Sequence, residues 1–524
     1  MYKLFEKRIA RLLSSNRQAL LQNGLIGLEK ETLRVGPDGK IAQSPHPYAL
    51  GAALTHPYIT TDYSEALTEI ITPPMGSGIE ALEFLRDTQA FVYGKLQGEK
   101  LWATSMPCVV AGGTSIPIAQ YGSSNAGMMK TVYRRGLGHR YGRTMQVIAG
   151  VHFNYSVPEA FWTVYKDDEG SDLSLQDFIS EKYFDLIRNL QRFGWLIPYL
   201  FGASPAVCKS FLAGRKTELD EFDENTFYEP FATSLRMGDI GYQNNKEKAS
   251  GVRAKYDSLQ TYVDSLTEAI NTPYPGYEKF GVCVNGEYQQ LNTNILQIEN
   301  EYYSTVRPKQ ILNGNEKPTL ALKKRGVRYI ELRSLDVNAF DPMGINETQL
   351  CFLEIFMLFC LLQESPLFDR DEPKAIDQNE LITAHKGRDP RCKLNAAGRE
   401  RSLSGWAQEL FGKMELVAEI LDSGQAGHAY REALVRLQER VEYPELTPSA
   451  RMLGAMKENG LGFFDFAMQM SEMHQNYFNG IQLSEDKIHQ FEQLAINSHK
   501  KQQEIESQNN QSFDEYLVQY FAQN

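Results

Sequence analysis

Hydrophobic and polar residues alternate with two different periods over the first two-thirds of the chain. Apolar residues recur at helical spacing in four segments, which are residues 1–23, 78–99, 176–191 and 252–270. In five other segments the pattern is strand-like; these are residues 24–35, 58–72, 145–157, 288–301 and 326–337. Residues 111–130 are rich in Gly, Ser and Asn, which predicts a long surface loop.

From about residue 345 onward the pattern is almost wholly helical. We predict that the last element begins after an N-cap at Ser484, with Glu485 and Asp486 in its first turn, and runs into a polar tail. Because helices do not alternate one for one with strands, the sequence predicts an α+β protein with a mostly antiparallel sheet. We expect residues 1–344 to form a catalytic, sheet-containing region and residues 345–524 a mainly helical region packed on it, in one domain or two.

Composition and charge narrow the class of protein. Hydrophobic residues make up 42% and charged residues 23% of the 524 residues, which is typical of a globular protein. The formal net charge of -12 argues against a nucleic acid or an anionic membrane as the main partner.

Neither a leader peptide nor a membrane span is predicted. Charges interrupt the apolar residues of the N-terminal segment, which is typical of an amphipathic helix and not of a signal peptide. The most apolar later run, residues 351–362, is too short to span a bilayer and contains Glu354, so we expect a buried core helix. The six cysteines include no C-x-x-C pair. We therefore expect reduced thiols in the cytoplasm, with no disulfide framework and no zinc site.

Two glutamates stand out in the strand predicted at residues 24–35. Residues two apart on a strand project to the same side, so Glu29 and Glu31 should lie together, while Lys30 points to the opposite face. Like charges this close repel each other unless a cation lies between them. An exposed edge of the sheet is the plain alternative for this segment taken alone.

The same arrangement recurs on other predicted strands. His152, Asn154 and Ser156 share one face, as do Glu331 with Arg333, and Glu299 with Glu301 and Tyr303; Asp62, Glu65 and Glu69 cluster around the second strand. A single histidine is more often a structural residue than a ligand, and a Glu-x-Arg pair is more often a surface ion pair. Repetition favours a site instead, because a face dense in carboxylates and arginines needs divalent cations and an anionic ligand. Oxygen-rich sites with one histidine suit Mg²⁺ or Mn²⁺.

Several familiar nucleotide signatures are missing from the sequence. It contains no G-x-x-x-x-G-K-[ST] loop, and its glycines around residues 136–142 have the wrong spacing for a dinucleotide-binding fingerprint. Any nucleotide chemistry must therefore depend on metals and on arginines, for which Arg236, Arg307 and Arg333 are candidates. For Arg307, a surface turn before proline is an equally good interpretation.

Long motifs in this sequence closely resemble the glutamate–cysteine ligase (γ-glutamylcysteine synthetase) family of the proteobacterial type. The resemblance covers about the first two-thirds of the chain, in order. Its motifs are GLEKETLRV (27–35), ITTDYSEALTEIITPP (59–74), SMPC (105–108), AQYGSSNAGMMKTVYRRGL (119–137), GVHFNYS (150–156), FGWLIPYLFGASPAVC (193–208), ATSLRMGDIGY (232–242), LQIENEYYSTVRPK (296–309) and YIELRSLDVNAFDPMG (329–344).

The resemblance implies a fold, a reaction and a set of site residues. The fold would be a glutamine-synthetase-like funnel of antiparallel strands. The reaction would join the γ-carboxylate of L-glutamate to the amine of L-cysteine with ATP as co-substrate. The positions implied for Mg²⁺ are Glu29, Glu31, Asp62, Glu69, His152 and Glu331. The positions implied for the γ-phosphate and the substrate or phosphoryl intermediate are Arg333 and Arg236, and those implied for the cysteine pocket are Tyr133, Gln146, Asn154, Tyr242 and Tyr303.

The family also implies feedback inhibition by glutathione, and we expect a cytoplasmic monomer. Two other hypotheses remain open at this point. One is a related carboxylate–amine ligase that uses a different amine. The other is a non-catalytic protein that binds Mg²⁺ or a nucleotide through a regulatory acidic face, and it predicts ATP binding without amino-acid-dependent ADP release.

Overall fold

The computed structural model describes residues 2–241 and 253–523. Fourteen strands occur within these ranges. They are β1 (Leu25–Val35), β2 (Ile59–Thr61), β3 (Leu67–Ile71), β4 (Lys100–Leu101), β5 (Val151–Ser156), β6 (Ala206–Cys208), β7 (Asp220–Glu221), β8 (Thr226–Tyr228), β9 (Cys283–Val284), β10 (Glu287–Tyr288), β11 (Val306–Lys309), β12 (Tyr329–Leu335), β13 (Lys393–Ala396) and β14 (Arg399–Ser402).

One antiparallel sheet dominates the structure. Its strand order is β11-β12-β5-β1-β3-β2, and β4 pairs with one end of β1. The described strands therefore form an open sheet, in which β1 and β5 occupy central places. The predicted α+β class with a mostly antiparallel sheet is confirmed.

Eighteen α-helices surround this sheet in the described part of the chain. They are α1 (Lys3–Ser14), α2 (Gly78–Lys95), α3 (Asn125–Tyr141), α4 (Glu159–Glu169), α5 (Leu175–Phe193), α6 (Leu196–Phe201), α7 (Lys209–Leu212), α8 (Leu259–Asn271), α9 (Pro275–Glu278), α10 (Pro318–Arg325), α11 (Glu347–Leu362), α12 (Glu372–Lys386), α13 (Leu403–Asp422), α14 (Ala429–Glu442), α15 (Pro448–Asn459), α16 (Phe463–Asn479), α17 (Glu485–Ser507) and α18 (Phe513–Phe521).

The two faces of the sheet differ in chemistry. Val151, Phe153 and Tyr155 of β5 are fully buried against the helices, as the period of two predicts. Lys30 also points to this side, where its ammonium donates to Gln89 Oε1 at 2.6 Å and to the carbonyl oxygen of Pro342 at 3.0 Å. Burial lowers the pKa of Lys30 to about 7. Lys30 is therefore engaged on the helical side and cannot neutralise the two glutamates beside it.

The core helix predicted from the apolar run at residues 351–362 is confirmed. It is α11, which begins with a capping box between Asn346 and Gln349 and is buried almost throughout. Glu354 accepts hydrogen bonds from the hydroxyls of Tyr155, at 3.4 Å, and Tyr430, at 2.7 Å. Burial raises the pKa of Glu354 to about 7. A single apolar cluster includes residues of both regions, from Phe5 to Phe491; the division at residue 344 stays a prediction.

Four predicted elements differ from the structure in type, number or extent. The loop predicted at 111–130 is shorter, because α3 begins at Asn125. The strand predicted at 58–72 is two strands, β2 and β3. The strand predicted at 288–301 is wrong: this segment contains only the end of β10 and a 3-10 turn at Glu299–Glu301, so Glu299, Glu301 and Tyr303 do not share a strand face. The helix after Ser484 is confirmed, with the serine hydroxyl accepting from the Lys487 amide, but a further helix, α18, follows it.

The expectation that the cysteines are reduced thiols is contradicted at two positions. Cys108 and Cys208 form a disulfide, with their Cα atoms 5.4 Å apart and a separation of 100 positions in sequence. Spacing along the chain gave no signal for this pair, because β6 brings Cys208 to the loop that contains Cys108 only in the folded protein. In the residues that the structure describes, no helix is both long enough and apolar enough to cross a membrane.

Candidate active site

The charged face of the sheet is assembled by the register of three central strands. In the pairing of β1 with β5, Glu29 lies opposite His152. In the pairing of β5 with β12, Asn154 lies opposite Glu331. Residues from three distant parts of the sequence therefore meet on one face.

Glu29, His152 and Glu331 form the centre of this face. The Nδ1 atom of His152 lies 3.0 Å from Glu29 Oε2 and 3.4 Å from Glu331 Oε1. Each of the three residues offers one ligand atom, and these atoms all lie within 4.8 Å of one another. Two carboxylates and one imidazole that converge in this way fit a divalent cation.

Glu31 extends the cluster along β1. Its Oε2 accepts a hydrogen bond from the Gly150 amide at 2.8 Å, and its Oε1 lies 3.6 Å from His152 Nε2. Burial raises the pKa of Glu31, and the nearby Asp62 adds to this rise while His152 and Arg333 oppose it. The positive charges near Glu31 therefore do not fully offset the cost of burying its ionised carboxylate.

The pKa of Glu69 is raised further than that of Glu31. Its pKa is raised well above the ordinary value, first by burial and then by repulsion from Glu29, Asp62 and Glu31. Glu69 and Asp62 both line the cavity that contains the three central ligands. Bound metal ions would relieve the repulsion that Glu69 experiences from the neighbouring carboxylates, so the residues present fit such ions.

Glu331 has a different environment because cations surround it. Arg333 Nη1 lies 2.7 Å from its Oε1, and Lys309 Nζ lies 3.1 Å from its Oε2. Burial opposes the charge, yet Lys309 and Arg333 hold the pKa of Glu331 well below its usual range. Glu331 is therefore ionised, and the two cations lie beside the central cluster.

Lys309 was not among the predicted site residues. The signal for it was present in the sequence, because Arg307 and Lys309 are two apart and so share one face of β11. The register places Arg307 opposite Glu331. Arg307 also donates to the carbonyl oxygens of Tyr302, at 2.6 Å, and Asn300, at 3.0 Å, and it lines the cavity. The alternative of a surface turn for Arg307 is therefore wrong.

Arg236 lies beneath the charged face. It is buried, its Nη2 donates to the carbonyl oxygen of Arg333 at 2.8 Å, and its Nη1 lies 3.7 Å from Asp336 Oδ1. The guanidinium also packs against Gly150, where a side chain would clash with it. In this conformation Arg236 supports β12 at Arg333 and the backbone at Gly150, whose amide binds Glu31, and its contact with substrate stays a prediction.

The residues predicted for a cysteine pocket are only partly brought together. Tyr133, Gln146 and Tyr303 line the same cavity as the central cluster. Asn154 instead donates to Glu29 Oε1 at 2.9 Å, so it orients a carboxylate. Tyr242 lies outside the described residues.

The cavity itself has a volume of about 990 Å³. Its walls include residues that sequence reasoning missed, among them Tyr516 and Tyr520 of α18. This helix is held in place by Lys317, whose ammonium donates to the Phe521 carbonyl oxygen at 2.8 Å. No motif pointed to this contribution, because the resemblance ends well before the C-terminal helix.

Such a cavity, with carboxylates and a histidine on an antiparallel sheet and with arginines and a lysine beside them, is typical of enzymes that bind divalent cations together with a phosphorylated substrate. The sequence profile of the glutamate–cysteine ligase family matches residues 9–382. A glutamate–cysteine ligase from Alcanivorax borkumensis is 50% identical over 524 residues, which cover 99% of this chain and 99% of that protein. One from Pseudomonas aeruginosa is 47% identical over 522 residues, which cover 100% of this chain and 98% of that protein.

A solved structure agrees with these sequence matches. The 2.0 Å crystal structure of glutamate–cysteine ligase from Francisella tularensis in complex with AMP superposes with a TM-score of 0.89 at 36% sequence identity, over 95% of this chain and 98% of that chain. The chain belongs to the glutamate–cysteine ligase family. The family resemblance predicted from the motifs is confirmed.

Proposed function

We propose that this protein joins the γ-carboxylate of L-glutamate to the amine of L-cysteine with cleavage of ATP, which gives γ-glutamylcysteine, ADP and phosphate. This reaction is the first step of glutathione biosynthesis. The observation that carries the proposal is the cluster of Glu29, His152 and Glu331 beside Lys309 and Arg333, in a cavity large enough for several substrates and in a chain of this family.

The metal-binding part of the proposal rests on the convergence of Glu29, His152 and Glu331 and on the repulsion among the carboxylates around them. Glu29, His152 and Glu331 would hold one ion, and Glu31, Asp62 and Glu69 would contribute ligands to further ions. Mg²⁺ or Mn²⁺ suits these ligands, because both prefer carboxylate oxygens and bind phosphates while keeping some waters. When bound, such ions neutralise phosphate charge and so make the γ-phosphorus easier to attack.

The chemical steps follow from the need to activate a carboxylate. An oxygen of the glutamate γ-carboxylate attacks the γ-phosphorus of ATP, the bond from phosphorus to the ADP oxygen breaks, and γ-glutamyl phosphate forms. Arg333 and Lys309 lie where they would stabilise charge on the transferred group. The neutral amine of cysteine then attacks the acyl carbon, phosphate leaves, and the amine nitrogen loses a proton.

Recognition of cysteine is assigned to the aromatic part of the cavity. Tyr133 and Tyr303 line it together with Gln146, and the Tyr303 hydroxyl lies 3.7 Å from Met237 Sδ. Burial raises the pKa of Tyr303 to about 12, so its hydroxyl keeps its proton near neutral pH. A small thiol would pack against these ring faces, and the contact of Arg236 with the substrate is part of the same proposal.

The biological setting belongs to the same proposal. The protein would act as a cytoplasmic monomer on small molecules, without a nucleic acid or a membrane as partner. Glutathione, which contains the γ-glutamylcysteine unit of the product, would compete for the same cavity and act as a feedback inhibitor.

The test is an assay of ADP release in which glutamate, cysteine and the divalent cation are each omitted in turn. We expect full release and γ-glutamylcysteine formation only when all are present. ATP binding without any ADP release that depends on amino acids would support the regulatory hypothesis instead. Release with glutamate and another amine, but not with cysteine, would support the alternative ligase.

A further inference from the structure

The loop that carries Arg236 rests on the C-terminal end of helix α12. We call residues 229–241 the Arg236 loop. The amide of Thr233 in this loop donates to the carbonyl oxygen of Ala384 at 2.8 Å. Near the other end of the loop, Asp239 lies in the wall of the main cavity, the one of about 990 Å³. The end of α12 therefore supports a part of the cavity wall.

His385, in the last turn of α12, contacts the Arg236 loop at both of its ends. Its Nδ1 lies 2.8 Å from Glu229 Oε2. Its Nε2 lies 3.1 Å from Asp239 Oδ1, in an ion pair without hydrogen-bond alignment. The ring also packs against Gly238, where a side chain would clash with it. Because the two carboxylates lie before and after Arg236 in sequence, His385 joins the two sides of the loop.

The turn after Arg236 is compact, so the position of Asp239 affects the position of the arginine. A Cβ atom at Gly241 would lie only 1.8 Å from the carbonyl oxygen of Arg236. The two backbones are thus in direct contact, and a shift of the turn would move Arg236. From the side of the sheet, the guanidinium is held by its hydrogen bond to the carbonyl oxygen of Arg333 at 2.8 Å. His385 acts on the same residue from the helical side.

The bridge made by His385 requires the protonated ring. Both nitrogens face carboxylate oxygens, and only the imidazolium form carries a hydrogen on each nitrogen. The carbonyl groups at the C-terminus of a helix also favour a cation. Burial opposes the positive charge, yet the hydrogen bond with Glu229 and the charges of Glu229 and Asp239 raise the pKa of His385 above its ordinary value. Other charged side chains on α12 or just beyond it are Glu380, Lys386, Arg388 and Asp389.

We propose that His385 is a positioning residue for Arg236, and that its protonated form holds the Arg236 loop in the conformation that presents the guanidinium to the substrate. The inference rests on the proposed function, in which Arg236 contacts the substrate. It goes beyond that function by assigning a role to a residue just outside the segment that matches the family profile, which ends at residue 382. As the pH rises through the pKa of His385, the bridge is lost and Arg236 is held less precisely.

The decisive variant is His385→Gln, which can donate to one carboxylate but carries no charge. We expect its kcat/KM for glutamate to be about tenfold below that of the unaltered enzyme near pH 6.5, because a displaced binding group costs rate. The ratio of the two values should rise toward one at alkaline pH, where the unaltered histidine is neutral as well. The matched control is His489→Gln, at an exposed position of α17, and it should behave like the unaltered enzyme at every pH.

Two further variants test how the effect is transmitted. If His385 acts through Arg236, then adding His385→Gln to Arg236→Lys should lower kcat/KM by less than twofold beyond the loss from Arg236→Lys alone. Glu229→Gln keeps the histidine and removes one of its carboxylates. The pH at which kcat/KM falls should therefore drop by about one unit.

Three results would overturn the assignment. The first is a folded His385→Gln variant that keeps full activity or loses the same factor at every pH. The second is a full tenfold loss when His385→Gln is added to Arg236→Lys. The third, which decides the case if His385→Gln does not fold, is an unchanged pH dependence in Glu229→Gln. Failure of the proposed function is separate, because the unaltered enzyme would then show no ADP release that depends on glutamate and cysteine.

Discussion

A substitution at Glu354 tests whether the helical side of the sheet affects stability without affecting catalysis on the charged side. The perturbation is Glu354→Gln, which removes a buried charge from the helical side and keeps a side chain of nearly the same shape. Glu354 is only 4% exposed, and two tyrosine hydroxyls, from Tyr155 and Tyr430, are its hydrogen-bond partners. Tyr155 and His152 lie on the same strand, β5, but on opposite faces. A change at Glu354, which contacts Tyr155, should therefore leave catalysis unchanged.

The magnitude follows from the pKa of the carboxyl group. Burial raises the pKa of Glu354 from 4.5 to about 7, which corresponds to about 3 kcal/mol. Below pH 4.5 both the folded and the unfolded state carry the proton, so no cost arises. Between pH 4.5 and 7 the folded state keeps a proton that the unfolded state has lost, and stability falls as pH rises. Above pH 7 the full cost is present.

The assay is urea unfolding of both proteins at pH 5 and at pH 8. We expect Glu354→Gln to raise the free energy of unfolding by about 2–3 kcal/mol at pH 8 and by much less at pH 5. Glu364→Gln, at an exposed position just beyond the same helix, is the matched control and should change neither value. An equal effect at the two pH values, or a loss of stability at pH 8, would refute the assigned cost of the buried charge.

Four further predictions concern the main cavity. In the Glu31→Gln variant the new amide oxygen can still accept the hydrogen bond from the Gly150 amide. The unfolding temperature of the variant should therefore change little, whereas its Mg²⁺-dependent turnover should be abolished. Normal turnover in a Mg²⁺ titration would show that Glu31 is not a metal ligand. Arg333→Lys replaces the planar guanidinium group beside Glu331 with an ammonium group and should lower kcat about a hundredfold. A near-normal kcat would show that another residue contacts the phosphate. Tyr303→Ala should raise the KM for cysteine about tenfold and that for glutamate far less; equal increases would reject the cysteine pocket. Chelation of divalent cations with EDTA should stop ADP release, and added Mg²⁺ should restore it, whereas activity that survives chelation would contradict the metal assignment.

The strand segments that hold the central cluster could be predicted because their alternation is strong. In β1, β5 and β12 the period of two correctly put Glu29, His152 and Glu331 on one side of each strand. The register between strands could not be predicted, because it depends on pairing among segments more than 100 residues apart. For this reason the sequence indicated a charged face without indicating that Asn154 would orient Glu29 or that Lys309 would neutralise Glu331.

The failed predictions have physical causes of the same kind. Glu301 has the spacing of a strand residue, but in the fold it is buried in an ion pair with Arg140 at 2.9 Å, and the chain turns there as a 3-10 helix. The Cys108–Cys208 disulfide and the aromatic residues of α18 in the cavity wall likewise depend on tertiary contacts. Local pattern specifies which way a side chain points within an element and says little about contacts between distant elements.

The central claim is that this cavity activates the γ-carboxylate of glutamate as an acyl phosphate before cysteine attacks. The most direct measurement uses glutamate labelled with heavy oxygen in both γ-carboxylate positions and follows the label by mass spectrometry. We predict that each molecule of γ-glutamylcysteine formed is accompanied by one phosphate carrying a single labelled oxygen. Release of unlabelled phosphate alongside γ-glutamylcysteine would contradict the account.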